Sequence, residues 1–154
     1  MFQFGYSRES RSGKVLNVAG TGAATNGPPW EFDLRETGVS ALPRLRAWAG
    51  RLLPQLSAAD LADVLMVVEE LASNAYEHTP GPRCARLRAA RGQPYQVVVE
   101  VDDPVRTRPS VQPPDAVRNR GRGMLLVDRL SDAWGIRERP DGKTVWARMG
   151  FGKG

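Results

Sequence analysis

The sequence predicts an α+β fold, a two-layer α/β sandwich in which helices cover one face of a mostly antiparallel mixed sheet. Two segments with apolar residues at helical spacing lie between residues 40 and 78, and strand-like segments lie before and after them. Short turns, around Gly92 and in "PDGK" at residues 140–143, join consecutive strands. Helices combined with hairpin-rich strands are typical of a two-layer α+β domain.

Each element of the domain has its own sequence signal. Ser40 can cap the first helix, Pro43 suits its first turn, and Pro54 ends it. Ser57 caps a second helix, which "TPGP" stops after His78. The remaining elements are a first strand at 30–34, two strands at 83–92 and 93–103, a proline-rich loop at 104–120, a glycine-rich entry with a short helix at 121–135, and a closing hairpin at 134–151.

Composition narrows the class of protein. The 154 residues suffice for one domain with a core, placed at 30–150, with a flexible tail at 1–29 and a short one at 151–154. No membrane span or secretory signal is evident, so the expected location is the cytoplasm. Cys84 is the one cysteine, which excludes an intrachain disulfide and a cysteine-based zinc site. The charge of +5 is only weak support for nucleic-acid binding, because arginine dominates as in GC-rich genomes.

The second helix carries a line of polar residues. Glu70, Asn74 and His78 follow one another at four-residue spacing, which keeps them on one helix face. An ordinary exposed stripe gives the same pattern, and His78 alone is expected to make structural hydrogen bonds. A carboxylate and an amide one turn apart also suit a hydrated Mg²⁺ and an attacking hydroxyl, since the carboxylate can accept a proton. Glu69, about 100° away, is expected to face solvent.

Two acidic residues end the strand "QVVVEVDD". Alternation places Asp103 with Val97, Val99 and Val101 on the helix-facing side, and Asp102 on the other side. A carboxylate that faces the core needs a hydrogen-bond donor. Asp103 therefore either caps the strand end or accepts from an exocyclic amine such as that of adenine.

Glycines and arginines cluster ahead of the third helix. Gly121 and Gly123 allow backbone to approach a ligand, and amides at a helix N-terminus attract phosphate, although ordinary turn glycines look the same. The spacing matches neither a dinucleotide fingerprint nor a P-loop. Arginine forks suit phosphate oxygens, so phosphate contacts are expected from the arginines beside the glycines, which are Arg118, Arg120 and Arg122.

Together these residues resemble the GHKL ATPase superfamily, and most closely its anti-sigma-factor serine/threonine kinases and small actinobacterial ATP-binding regulatory proteins. The superfamily's N-box is similar to "EELASNAYEH", its second glycine box to "GRGMLLVDRLSDAWG", and its closing strand to "GKTVWARM". The likeness covers roughly residues 30 to 150, in the right order. It departs in the first glycine box, where "DDPVRTRP" keeps Asp103 but lacks the glycines of D-x-G-x-G.

The resemblance implies a GHKL-type fold with an ATP and Mg²⁺ site. Glu70 corresponds to the general base, Asn74 to the Mg²⁺ ligand and Asp103 to the residue that binds the adenine amine. The other implied positions are Gly121, Arg122 and Gly123 in a lid over the phosphates, Arg118 and Arg120 near them, Thr144 in the adenine pocket, and His78 at the edge of the site.

The implied function is that of an ATP-binding regulatory protein, an anti-sigma-factor-type serine/threonine kinase that phosphorylates an antagonist protein. Its expected partners are ATP, a sigma factor and an anti-sigma antagonist, with no membrane and no direct nucleic acid, and a homodimer is left open. Two other functions stay open: a partner-switching module that binds ATP with little or no phosphotransfer, and, more remotely, a basic nucleic-acid-binding protein. Glu70 and Asn74 together favour ATP use over nucleic-acid binding, but they do not separate binding from transfer.

Overall fold

Five strands and three helices make up the part of the chain that the computed structural model describes. It describes residues 28–35, 38–79, 81–92, 94–104 and 117–152, apart from the side chains of Val39, His78 and residues 117–123. None of the described helices combines the length and the apolar character that a bilayer crossing requires. In chain order the elements are β1 (Trp30–Asp33), a 3₁₀ turn (Gly38–Ala41), α1 (Leu42–Leu52), α2 (Ala58–His78), β2 (Cys84–Ala90), β3 (Tyr95–Asp103), α3 (Val117–Leu130), β4 (Ala133–Arg139) and β5 (Gly142–Phe151).

The strands form one sheet in the order β1-β2-β3-β5-β4. All four pairings between the described strands are antiparallel, so the sheet contains no parallel pair within those residues. The predicted α+β sandwich is confirmed, and the two predicted hairpins, β2–β3 and β4–β5, are both present. Strand β3 is central, which places its C-terminal residues well inside the sheet.

The core lies between the sheet and the helices. Alternate residues of β3, namely Val97, Val99 and Val101, are buried on the helix-facing side. From α2, Val67 and Leu71 join the same cluster. Each such side chain contributes about 1.5–3 kcal/mol when fully buried, so the packing holds α2 in a fixed position over β3.

The predicted signals mark the ends of α1 and α2 with one exception: Ser40 does not cap α1, because it lies within the 3₁₀ turn that leads into the helix, and the N-cap residue is Ala41, with no side-chain cap. Pro43 lies in the first turn of α1. The hydroxyl of Ser57 accepts a hydrogen bond from the amide of Asp60 at 3.1 Å, which satisfies one of the free amides at the start of α2. At the other end, Thr79 Oγ1 donates to the carbonyl oxygen of Ala75 at 2.7 Å and closes the last turn.

Helix α3 begins earlier than predicted. The expected loop extended to residue 120, but the helix already runs from Val117, so Gly121 and Gly123 lie inside it and not ahead of it. Residues 115–139 contain no proline, and each glycine costs a helix only about 1 kcal/mol relative to alanine. The proline-rich part of the predicted loop, residues 105–116, lies outside the described residues.

The described residues include both ends of the predicted domain but little of the predicted tails. The first predicted strand corresponds to β1, and the last strand runs through Phe151, one residue beyond the predicted end of the domain. Most of the predicted N-terminal tail, residues 1–27, lies outside the described residues, as do residues 153–154.

Candidate functional site

Three hydrogen bonds fasten the C-terminal end of α2 to the end of the sheet at which β3 stops. The hydroxyl of Tyr76 donates to the carbonyl oxygen of Leu34 at 2.7 Å. The amide of Leu34 donates to the carbonyl oxygen of Arg83 at 3.0 Å. The amide of Arg83 in turn donates to the carbonyl oxygen of Asp102 at 2.8 Å. Because Asn74 lies within the last two turns of α2, these bonds bring the polar line and the end of β3 to the same end of the molecule.

Glu70 is a half-buried carboxylate with a raised pKa. Burial is the main cause, since it removes water from the charged form, and repulsion from Glu69 and Glu77 adds to it. A carboxylate with a raised pKa binds a proton more firmly than an ordinary one. Glu70 is therefore suited to take a proton from a substrate hydroxyl.

Asn74, one turn further along α2, has a buried amide nitrogen with no hydrogen-bond partner among the described residues. A buried, unpartnered N–H donor is costly, and it is satisfied by an acceptor such as a phosphate oxygen, whereas the oxygen of the same amide is the atom that can face a cation. The described residues contain no cluster of three His, Cys, Asp or Glu side chains that could enclose a metal. A Mg²⁺ held by the Asn74 oxygen would take its other ligands from phosphates and water, as Mg²⁺ commonly does. The residues present thus fit Mg²⁺ bound together with a nucleotide.

Glu69 does not simply face solvent, which corrects the expectation for its stripe. Its carboxylate forms an ion pair of 3.0 Å with Arg46 of α1. Both side chains are partly exposed, and such pairs contribute about 0–1 kcal/mol. Glu69 therefore links α1 and α2, whereas Glu70 has the raised pKa that suits proton transfer.

Asp103 lies on the helix-facing side of β3, as the alternation predicts. Its side chain is only 3% exposed, and the Lys143 ammonium lies 3.8 Å from its carboxylate. Lys143 stands directly opposite Asp103 in the β3–β5 pairing. Sequence reasoning missed this lysine, although the alternation of Lys143, Val145 and Ala147 indicates that all three share one face.

Gly142 allows β5 to start against the backbone of Asp103. Its φ is +155°, and a Cβ atom built on it would lie 1.9 Å from the carbonyl oxygen of Asp103. A side chain at this position is excluded both by its conformation and by this contact. Gly142 thus fixes how closely the start of β5, with Lys143, approaches Asp103.

Thr144 does not lie beside Asp103. Its hydroxyl donates to Asp102 Oδ1 at 2.6 Å, on the face of the sheet that carries no helix. Neighbouring strand residues point to opposite faces, so Thr144 and Lys143 are separated by the thickness of the sheet. This placement corrects the expectation that Thr144 lines the same pocket as Asp103.

Asp102 belongs to an ionic network on that helix-free face, which the sequence did not reveal. Arg86 bonds to Glu100 at 2.9 Å and to Asp102 through two of its nitrogens. Arg137 adds a bond of 2.8 Å to Glu100. Burial raises the pKa of Glu100 and of Asp102, but the hydrogen bonds to arginine outweigh it, so both pKa values are lowered. The network is structural and lies away from Glu70.

The predicted phosphate-binding residues lie in the first half of α3. The backbone of Arg118, Arg120, Gly121, Arg122 and Gly123 is helical, and their side chains are outside the described set. The same holds for the side chain of His78, the last residue of α2. The remainder of α3 packs against the core through Val127, which is fully buried.

Comparison with known proteins identifies a family for most of the chain. The model of the histidine kinase-like ATPase domain matches residues 36–149, which is well over half of the chain and extends from the turn before α1 almost to the end of β5. No curated protein matches the sequence. The matched residues include the polar line of α2 and Asp103, and an ATPase domain implies that the chain binds ATP. The chain belongs to the histidine kinase-like ATPase domain family.

Proposed function

We propose that this chain is an ATP-dependent protein serine/threonine kinase of the anti-sigma-factor type, which phosphorylates an antagonist protein and uses Mg²⁺. The observation that carries the proposal is the pairing on α2 of Glu70, with its raised pKa, and Asn74, whose buried amide nitrogen has no hydrogen-bond partner among the described residues. A protein that only bound ATP would have no need for a strengthened proton acceptor one turn from the metal ligand. Asp103 is the proposed acceptor for the adenine amine.

In the proposed reaction Glu70 accepts the proton of a serine or threonine hydroxyl while that oxygen forms a bond to the γ-phosphorus of ATP. The bond between the γ-phosphorus and the bridging oxygen breaks, and its electrons leave with ADP. Bound Mg²⁺ would supply neutralisation of charge on the phosphate oxygens. Asn74 holds one side of that site, and α2 keeps the acid–base group and the metal ligand one turn apart.

The test is a transfer assay with radiolabelled ATP, Mg²⁺ and candidate antagonist proteins. Wild-type protein is expected to label an antagonist. Glu70→Gln should bind ATP with unchanged affinity, measured by calorimetry, and transfer phosphate about 10²–10⁴ times more slowly, because only the proton acceptor is lost. Transfer by Glu70→Gln at the wild-type rate would show that Glu70 is not the base.

Glu69→Gln is the matched control for this experiment. It removes the carboxylate that precedes Glu70 on α2, together with the ion pair to Arg46 and one of the smaller causes that raise the Glu70 pKa, but it leaves the burial of Glu70 and the polar line intact. Its transfer rate should stay close to that of the wild type. If the wild type binds ATP with Mg²⁺ and labels no antagonist, the function is that of a partner-switching module and not of a kinase.

A further inference from the structure

The helix-free face of the sheet carries more arginine than its carboxylates neutralise. Neighbouring strand residues point to opposite faces, so the pairing register assigns each side chain of β2 to β5 to one face. On these four strands the helix-free face has two carboxylates, Glu100 and Asp102, which lie on the central strand β3. The arginines of the same face are Arg86, Arg88, Arg137, Arg139 and Arg148.

Three of these arginines keep donors that no described carboxylate uses. Arg88 lies 3.9 Å from Glu100 and Arg139 lies 3.7 Å from Asp102, and both separations are too long for a hydrogen bond. Arg148 is half-buried and makes no ion pair or hydrogen bond with another described side chain. A guanidinium has five N–H donors, so these three groups are able to bind further acceptors.

The arginine heads, and not the strands beneath them, are the accessible part of this face. The side chains of Arg88 and Arg139 are 35% and 37% exposed. Arg88 and Arg148 stand on either side of Val98 in one row across the sheet, with their backbones about 10 Å apart. Val98 and, beside it, Trp146 are only 4% and 3% exposed. A partner would therefore meet guanidinium groups that surround a closed centre.

Charge decides between the possible occupants that belong to this chain. A second copy would present the same arginines, and the whole chain carries a charge of +5, so two such faces repel each other. The N-terminal segment 1–27 contains three basic residues and one acidic residue, which are Arg8, Arg11, Lys14 and Glu9. Neither occupant complements an arginine surface.

A nucleic acid fits this face less well than an acidic protein does. Proteins that bind single strands on a sheet stack the bases on exposed aromatic rings, but the Trp146 ring is buried. Glu31 of β1 is exposed on the same face, opposite Arg86, and would repel a phosphate backbone. Carboxylates placed opposite single guanidinium forks match the arrangement better, because each fork binds a carboxylate through two parallel hydrogen bonds.

We propose that the helix-free face is a docking surface for an acidic region of a partner protein, whose carboxylates pair with Arg88, Arg139 and Arg148. Glu70 and Asn74 belong to α2, on the other side of the sheet. A partner that docks here leaves the helix-facing side uncovered. The inference is independent of the proposed phosphotransfer.

The experiment titrates the full chain with poly-L-glutamate and, separately, with oligothymidylate of matched charge. The test variant is Arg88→Gln with Arg148→Gln, and the matched control is Arg44→Gln with Arg51→Gln, which removes two exposed arginines from α1 in the helical layer. The test variant is expected to bind poly-L-glutamate about 5- to 20-fold more weakly than the wild type, and the control less than about 2-fold more weakly. Amide resonances of β3 and β5 should shift in the wild type when poly-L-glutamate is added.

Two outcomes overturn the inference. Equal weakening by the two double variants would show that poly-L-glutamate responds only to net charge. Tighter binding of oligothymidylate than of poly-L-glutamate, lost in the test variant, would make the face a nucleic-acid site. If circular dichroism shows the test variant to be unfolded, Arg148→Glu is compared with Arg51→Glu, since Arg148 has no described partner to lose, and equal affinities of these two variants would likewise refute the assignment.

Discussion

Replacing Arg86 with methionine removes the centre of the ionic network on the helix-free face. The Arg86 side chain is 8% exposed and bonds to both Glu100 and Asp102. The substitution therefore leaves two buried carboxylates with fewer hydrogen-bond partners. Breaking a buried pair in this way typically costs about 3–5 kcal/mol. Glu100 keeps Arg137 at 2.8 Å and Asp102 keeps Thr144 at 2.6 Å, so we expect the lower end, about 3 kcal/mol.

Urea unfolding at neutral pH measures this loss. Arg88→Met is the matched control, since Arg88 is 35% exposed and lies 3.9 Å from the same Glu100. It should lower the free energy of unfolding by less than about 1 kcal/mol. If Arg86→Met costs no more than the control, the reasoning that the network is held by Arg86 fails.

The cost of Arg86→Met should also depend on pH. In the wild type the pKa values of Glu100 and Asp102 are lowered, so their ionised forms stabilise the fold above their ordinary values of 4.5 and 3.8, and this contribution is lost as pH falls through the folded-state values. Without Arg86, burial raises both pKa values with less opposition. The penalty should therefore be largest at neutral pH and should shrink towards a pH of about 4.

Two further predictions concern stability near the proposed site. Gly142→Ala should lower the free energy of unfolding by more than about 1 kcal/mol, because of its positive φ and the contact with Asp103. Gly50→Ala, in α1 with open space around it, should be neutral or stabilising, and equal melting temperatures for the two variants would contradict this. Glu70→Gln should raise the melting temperature at neutral pH, because a carboxylate with a raised pKa destabilises the fold when ionised. The gain should vanish as pH falls through that pKa, and a gain that is independent of pH would refute the assignment.

The order of elements and the face of Asp103 could be predicted because both follow from local patterns. Ser57 and Pro43 mark helix starts through the backbone amides nearest to them, and three valines at alternate positions fix which side of β3 is apolar. These signals can be interpreted without knowing which strand pairs with β3. They remain valid wherever the strand lies in the sheet.

The positions of Thr144, Lys143 and the start of α3 could not be predicted from local sequence patterns. Thr144 was assigned to the pocket from a family pattern, yet the apolar Val145 and Ala147 put its neighbours on the helix-facing side and Thr144 on the other. Lys143 meets Asp103 only once β3 and β5 are paired in their actual register. The early start of α3 was missed because Gly121 and Gly123 favour a loop by themselves, and a helix overrode that preference.

The charged network has a consequence for how the sheet selects one alignment of its strands. Val98 is buried on the helix-free face, as Val97 and Val99 are on the helix-facing one, so burial of valines does not by itself exclude a one-residue slip in this part of β3. A slip by one residue would turn Glu100 towards the helices and bring a valine opposite Arg86. That misaligned sheet would bury an unpaired carboxylate and an unpaired guanidinium, which the native pairing of Arg86 with Glu100 avoids. The same native alignment is the one that presents Asp103 and Lys143 together on the opposite face.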